Sequence, residues 1–386
     1  MFSSERILVV ADDLTGAAEI AGIVRRYGLG ARIVRAVHGL RDVADEGATV
    51  IDTDSRALSA NEAADRVRRV LEPLPASFFT LVYKKTDSAL RGPVLAEVNA
   101  VMSWSGATRS ALLAQNPSRG RTIQDGIYRV DGVPIDRTPF ARDPQHPARS
   151  SRVLELLGEF SGLEVHSAVS HASDLKEGLS VCDARNEDDV LWRAALLPGD
   201  VLPAGGADFF GQLLEVRGLR RRKREPLPPF TGSALLVRGT TAPPTEEEEK
   251  WIDSRWFADC AAPVEMLYEP SQRERLHRFA AMVARSLELG GRVAVSLIGD
   301  VKPSASIEIE RSLAEVVQVA TGAFPVEHLL LTGGATAAAV CRRMGWNTLS
   351  VSRELSPGVV MCGVSEGSGP QLTLKPGSYP WPGAWI

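Results

Sequence analysis

Apolar positions recur along this chain in two alternating rhythms. Short runs at 7–11, 49–51 and 78–83 read as buried strands, and between them apolar residues return every three or four positions, as on one helix face. After the first run, Leu14, Ala17, Ala18, Ala21 and Val24 share a face, and Gly28 and Gly30 close the unit. Residues 31–34 give the next strand, and 61–71 a helix with Ala64, Val67 and Leu71 inward. A helix over 93–104 opens at Pro93, where the missing N–H costs nothing, and 110–114 is again strand-like. Strands and helices alternating at this spacing predict a mainly parallel sheet with helices on its faces. The polar stretch 115–147 is too long for a plain connection and predicts a functional loop or a small hairpin over 126–134. Strand patterns resume at 163–167 and 179–182.

The pattern breaks at 217–229. Five of the six residues 220–225 are basic and three prolines follow, which predicts a solvated helix end running into a semi-rigid linker. A second unit begins beyond it, with strands at 234–238, 292–298 and 328–332 and helices at 307–321 and 335–344. Thr245 before Glu246–Glu249 predicts an N-capped helix whose first-turn acids complement its dipole, so the acid run is structural. The expected fold is α/β. It has two domains, 1–225 and 226–386, each a mainly parallel sheet flanked by helices, with the active site in the interdomain cleft.

Composition narrows the function. The 386 residues suffice for two cores, and a net charge of −4 gives no reason to expect nucleic acid as a partner. No signal pattern and no membrane-length apolar run is present, so a cytoplasmic protein without a membrane partner is expected. Cys182, Cys260, Cys341 and Cys362 are far apart and form no CxxC, which predicts buried thiols rather than a disulfide framework or zinc site. His166 and His171 lack ligand spacing, and no metal-ligating residues are expected.

Four polar clusters follow predicted strands, where ligands collect in open parallel sheets. In ADDLTG, Asp12 and Asp13 precede a helix; one can cap it, leaving the other to orient or deprotonate a substrate hydroxyl. In DTDSR, Arg56 offers a fork for a carboxylate and Ser55 a hydroxyl donor. KKTDSALRG puts Lys84, Lys85, Asp87, Ser88 and Arg91 beside a helix N-terminus, which makes an anion site. QNPSRGRT carries Arg119 and Arg121 around a glycine. In the second half, Gly239–Thr241, Thr332–Thr336 and Lys375–Ser378 are glycine and hydroxyl turns, of which Gly333-Gly334 lets backbone amides approach a phosphate. Neither a Walker motif nor a dinucleotide fingerprint occurs, which argues against a dehydrogenase.

In this order, ADDLTGA, DSR, KKTDSALRGP, GRT…DGIYRVDGVPI, VCDA at 181–184 and a weaker AGGADFF at 204–210 resemble the four-carbon acid sugar kinase family, over essentially the whole chain. That family includes threonate, erythronate and 3-oxo-tetronate kinases. The resemblance implies a phosphotransferase with an alcohol acceptor, using ATP and Mg²⁺ on the terminal hydroxyl of a short sugar acid. It implies an N-terminal sugar-acid domain with Asp12 and Asp13 as catalytic residues. Ser55, Arg56, Lys84, Lys85, Asp87, Ser88, Arg91 and Arg121 become substrate ligands. It implies a C-terminal nucleotide domain using Gly239, Thr240, Thr241, Gly333, Gly334, Ala335, Thr336 and Gly377. A homodimer fits such an enzyme. The chain departs from the pattern in the nucleotide half. Arg238-Gly239-Thr240 replaces Ser-Gly-Ser, Ala335 replaces an acid, and KPGSYP replaces Lys-x-Gly-Gly-Phe-Gly. Thr240 can supply a hydroxyl, but Ala335 supplies no carboxylate. The alternatives are therefore a sugar-acid-binding protein, or a non-kinase sugar-acid enzyme, with a degenerate nucleotide site.

Overall fold

The computed structural model describes residues 5–35, 43–44, 46–143, 145–169, 175–223, 225–227, 229–240, 244–365, 369–377, 379–383 and 385. The chain divides into two compact units, Met1–Arg222 and Lys223–Ile386.

The first unit carries β1 (Arg6–Ala11), β2 (Ala31–Arg35), β3 (Gly47–Asp52), β4 (Leu81–Lys85) and β5 (Arg109–Leu113). The short strands β6 (Arg121–Gln124), β7 (Ile127–Val130) and β8 (Val133–Pro134) form a separate antiparallel sheet, so the expected hairpin is real and gains a third strand. Then come β9 (Val165–Val169), β10 (Gly178–Cys182) and β11 (Val201–Gly205). The main sheet runs β2-β3-β1-β4-β11-β5-β10-β9, all parallel. Because β3 lies on one side of β1 and β4 on the other, the strand order switches direction at β1, the place where such sheets bind ligands.

Helices cover both faces. α1 (Leu14–Arg26) is capped by Asp13, and α2 (Ala60–Leu71) by a capping box between Ser59 and Glu62. α3 (Val94–Ser105) ends at Gly106 in the left-handed region. Leu8, Val10 and Ile51 of the sheet share a core with Val67 of α2 and Val98 and Val101 of α3. On β4, Tyr83 packs edge-on against Phe210 of the helix Ala207–Val216.

The strand expected at 78–83 is displaced. Ala76–Phe78 is a 3₁₀ turn, and β4 starts at Leu81 in register with Ile7. Pairing with β1 draws Lys84 and Lys85 into the strand, because each ammonium finds a buried acid, as described below. The helix Glu187–Ala195, β11 and the helix Ala207–Val216 are further elements that the sequence reading did not place.

The second unit contains β12 (Ala234–Arg238), β13 (Ala258–Pro263), β14 (Arg292–Ile298), β15 (His328–Thr332), β16 (Thr348–Ser356), β17 (Val359–Val364) and β18 (Gln371–Lys375). Its sheet runs β13-β14-β12-β15-β18-β17-β16, parallel except where β17 pairs with β18 and β16. Thr245 accepts from Glu248 N and caps Glu246–Arg255 as expected. Phe230, Trp251, Trp256, Trp381 and Trp385 form an aromatic core with ring centroids 5.1–6.4 Å apart. All four cysteines are buried free thiols. Among the described residues no helix is long and apolar enough to cross a membrane.

Candidate active site

The carboxyl ends of β1, β3 and β4 bring three of the sequence clusters side by side. Asp13 sits at the N-cap of α1. Its Oδ1 accepts from Gly16 N at 2.7 Å, and its Oδ2 accepts from the Thr15 hydroxyl at 2.5 Å and from Arg56 Nη1 at 2.7 Å. Asp13 is thus the capping aspartate, and Asp12 is the other. Asp12 Oδ2 accepts from Arg56 Nε at 2.6 Å, while its buried Oδ1 has no hydrogen-bond partner among the described residues. Burial opposes ionisation of Asp12, but the charges of Arg56 and then Lys84 outweigh it and hold the carboxyl below its ordinary range.

Arg91 makes a two-pronged pair with Asp87, Nε to Oδ2 at 2.8 Å and Nη2 to Oδ1 at 2.9 Å. Its Nη1 reaches Asp143 at 3.1 Å. Arg91 and Arg56 together overcome burial and keep Asp87 far below the usual carboxylate range. Leu90 holds φ 60°, a strained setting for an apolar residue, of a kind that costs about 1–3 kcal/mol and clusters at functional loops.

Ser55 and Lys84 lie deeper than sequence suggested; neither has measurable exposure. The Ser55 hydroxyl donates to Glu97, and Lys84 Nζ is 3.0 Å from the same carboxylate. Burial pushes Glu97 upward although Lys84 pulls it down. Sequence reasoning missed Glu97. The signal was an acid on the apolar face of 94–105, where only a buried partner could keep it. Lys85 likewise points to Glu19 of α1, at 3.5 Å.

Arg121 comes from β6, and its guanidinium donates to the Ser88 hydroxyl and lies 5.4 Å from the Phe140 ring. The Tyr128 hydroxyl holds the Ser88 carbonyl. Arg56, Lys84, Lys85 and Arg91 all have acidic partners; Arg121 has none among the described residues. A cavity of about 520 Å³ opens at the opposite, amino edge of β4, β11 and β5, where Phe79, Leu81, Leu197 and Val216 line it. None of the polar residues named above lines it.

In the second unit Arg238, Thr332 and Lys375 end the adjacent strands β12, β15 and β18 in one row. Gly239 N donates to Thr332 O at 3.1 Å, and Gly333 N to Lys375 O at 2.9 Å. Gly333, at φ 100°, turns the chain into the helix Gly334–Met344, which has no side-chain cap. Gly239 has to be glycine, since a Cβ there would fall 1.8 Å from Thr336 Oγ1. An uncapped helix N-terminus beside two glycines and a hydroxyl suits phosphate oxygens. Thr240 adjoins this turn, Ala335 is exposed in the first helical turn, and Gly377 faces open space; Thr241 lies outside the described residues.

Lys375 of this row and its neighbour Glu248 were missed as site residues. Glu248 is 3.2 Å from Arg238 and accepts from Trp381 Nε1 at 3.3 Å. Lys375 Nζ donates to Tyr379 O at 2.7 Å, and burial lowers it to about 8. The uncapped first turn after Gly333, with Gly239 and Thr336 beside it, is the group that would hold the phosphates of a bound nucleotide. Mg²⁺ commonly binds through phosphates and only one or two carboxylates.

A doubly wound unit with a charged switch point, joined in sequence to a second α/β unit with a phosphate-type turn, defines a two-domain small-molecule enzyme. Residues 7–207 match the family described as a sugar-binding N-terminal domain, and residues 261–379 the one described as a nucleotide-binding C-terminal domain. The chain belongs to the four-carbon acid sugar kinase family. It is 26% identical to a D-threonate kinase of Salmonella typhimurium, over 93% of this chain and 90% of that one. It is 24% identical to a D-erythronate kinase of Heliobacterium modesticaldum, over 91% and 88%. Its fold matches a crystal structure of a Haemophilus influenzae protein of the DUF1537 group, with TM-score 0.70 and 18% identity, covering 98% of each chain.

Proposed function

We propose that this protein transfers the γ-phosphoryl group of ATP to the terminal hydroxyl of a short sugar acid of about four carbons, such as a tetronate or 3-oxo-tetronate. The observation that carries the reading is the contrast between Arg121 and its neighbours. Four cations of the first site are neutralised by aspartate or glutamate, whereas Arg121, with no acidic partner among the described residues, is placed to meet an incoming carboxylate. Asp12, held ionised with one open oxygen, is the group suited to orient the attacking hydroxyl and take its proton. The hydroxyl oxygen bonds to Pγ, the bond from Pγ to the bridging oxygen breaks, and ADP leaves. Such transfer depends on positioning and charge neutralisation more than on covalent chemistry. Bound Mg²⁺ supplies charge neutralisation at the phosphates. The Gly239–Thr240 turn, the Gly333–Thr336 turn and Lys375 are the residues suited to hold the nucleotide.

The test is ADP release with MgATP across a panel of tetronates and 3-oxo-tetronates. One acid is expected to yield ADP and a phosphorylated product. Arg121→Met is expected to raise KM for that acid by roughly 10–100-fold, the worth of one charge-assisted hydrogen bond. Acid binding without ADP release from any tetronate would replace this reading with that of a sugar-acid-binding protein.

A further inference from the structure

The carboxyl edge that carries the aspartates continues through β4, β11 and β5. Thr86 follows β4, Gly206 follows β11, and Gln115 and Asn116 follow β5. Thr86, Gln115 and Asn116 are at most 1% exposed. Each has one polar atom without a hydrogen-bond partner among the described residues: Thr86 Oγ1, Gln115 Oε1 and Asn116 Nδ2. An unsatisfied buried group costs roughly 1–3 kcal/mol, and native proteins rarely keep one without a use.

The partners these amides do have settle which end stays open. Gln115 Nε2 donates to Cys182 O at 2.9 Å, which leaves its carbonyl. Asn116 Oδ1 accepts from Asp208 N at 3.1 Å, at the start of the helix Ala207–Val216, which leaves its NH₂. Gly206, the N-cap, brings no side chain, and a Cβ there would meet Asn116 Oδ1 at 2.4 Å. The open set is therefore an acceptor, a donor and a hydroxyl, on the same carboxyl edge as the open acceptor Asp12 Oδ1. A carboxylate only accepts and would be repelled by the Gln115 carbonyl. An ammonium only donates and cannot serve Asn116. Hydroxyls both donate and accept, so a chain of them satisfies the set.

We infer that Thr86, Gln115 and Asn116 form the hydroxyl-reading floor of the acid site and determine its preference for polyhydroxylated over deoxy acids. The inference rests on the sugar-acid reading above. Arg56 and Arg91, with side chains 19% and 30% exposed, stand nearer the mouth. Asn116 also ties the floor to the carboxylate end, because its carbonyl accepts from Arg121 N at 3.1 Å.

The test is direct titration of the full-length, nucleotide-free protein with D-threonate, D-erythronate and 4-hydroxybutanoate, which keeps the carboxylate and terminal hydroxyl but lacks the inner hydroxyls. Wild type is expected to prefer a tetronate by at least about 100-fold, since a site built on hydroxyl contacts rejects analogues lacking them. Thr86→Val and Gln115→Met each keep the shape and remove an orphaned atom. Each is expected to cut the preference about tenfold while leaving Tm unchanged or higher. Asn116→Asp keeps the helix cap and reverses the free end from donor to acceptor; it is expected to cut the preference too, and it serves if another variant does not fold. An unchanged preference in the folded variants overturns the inference, even if they still phosphorylate the acid. A floor that behaves as expected in a protein that releases no ADP from MgATP overturns the kinase reading alone. Absence of any acid binding overturns both.

Discussion

Asp12 and Asp13 are adjacent in sequence and do different work. Asp13 satisfies the first-turn amide of α1, whereas Asp12 keeps an oxygen open. Asp13→Ala is therefore expected to cost about 1 kcal/mol of stability in urea unfolding, as for other lost caps. Asp12→Asn is expected to lower kcat by roughly 10²–10⁴-fold with little change in acid affinity. Equal kcat losses in Asp12→Asn and Asp13→Asn would mean that this division of roles is wrong. Asp52, ending β3, behaves differently again. Burial pushes it up to about 7 although Arg35 lies 3.2 Å away, and Asp54 and Asp13 push in the same direction as burial. Between about pH 4 and 7 the native state keeps a proton that the unfolded state has released. Its stabilising contribution is full below pH 4 and is lost as pH rises through 7, a change on the order of 4 kcal/mol. Urea midpoints at pH 5 and 8 are expected to differ by less in Asp52→Asn than in wild type.

At the scale of elements, periodicity located the strands and helices that carry most of the site. It placed α1, α2 and α3 within a residue or two, because their apolar faces and caps are local features. It misplaced the start of β4, since only pairing with β1 and burial against Glu97 and Glu19 make Lys84 and Lys85 strand residues. It overlooked β11 and the helix after it, so the Gly205-Gly206 turn remained a weak motif although that turn brings Asn116 and Asp208 together. In the second unit, Lys375 was passed over as part of a turn, yet it ends β18 next to Thr332. If phosphate contacts its ammonium, binding requires the protonated form. Affinity for MgADP is then expected to fall as pH rises through about 8, and this dependence is expected to vanish in Lys375→Met. A pH-independent wild-type affinity would remove Lys375 from the nucleotide site.

For the molecule as a whole, the proposed function assigns acid recognition to the first unit and phosphate recognition to the second. Hydrogen exchange on the full chain is expected to show a tetronate protecting 84–91 and 115–121, and MgADP protecting 239–240 and 333–336. Protection by nucleotide confined to the first unit would contradict the assignment. By itself the sequence determined the α/β class, the mainly parallel character of the sheet, and the identity of the charged clusters. All of these depend on local periodicity, turn chemistry and short-range motif order. The tertiary structure alone decided which charges are spent and which remain available. Asp13 is consumed as a cap, Lys84 and Ser55 by Glu97, and Arg91 by Asp87 and Asp143, while among the described residues Arg121 lacks an acidic partner and one oxygen of Asp12 lacks a donor. Those pairings join residues up to 52 positions apart, and an ion pair or a buried orphan exists only once parallel strands set their ends side by side, which no local pattern encodes.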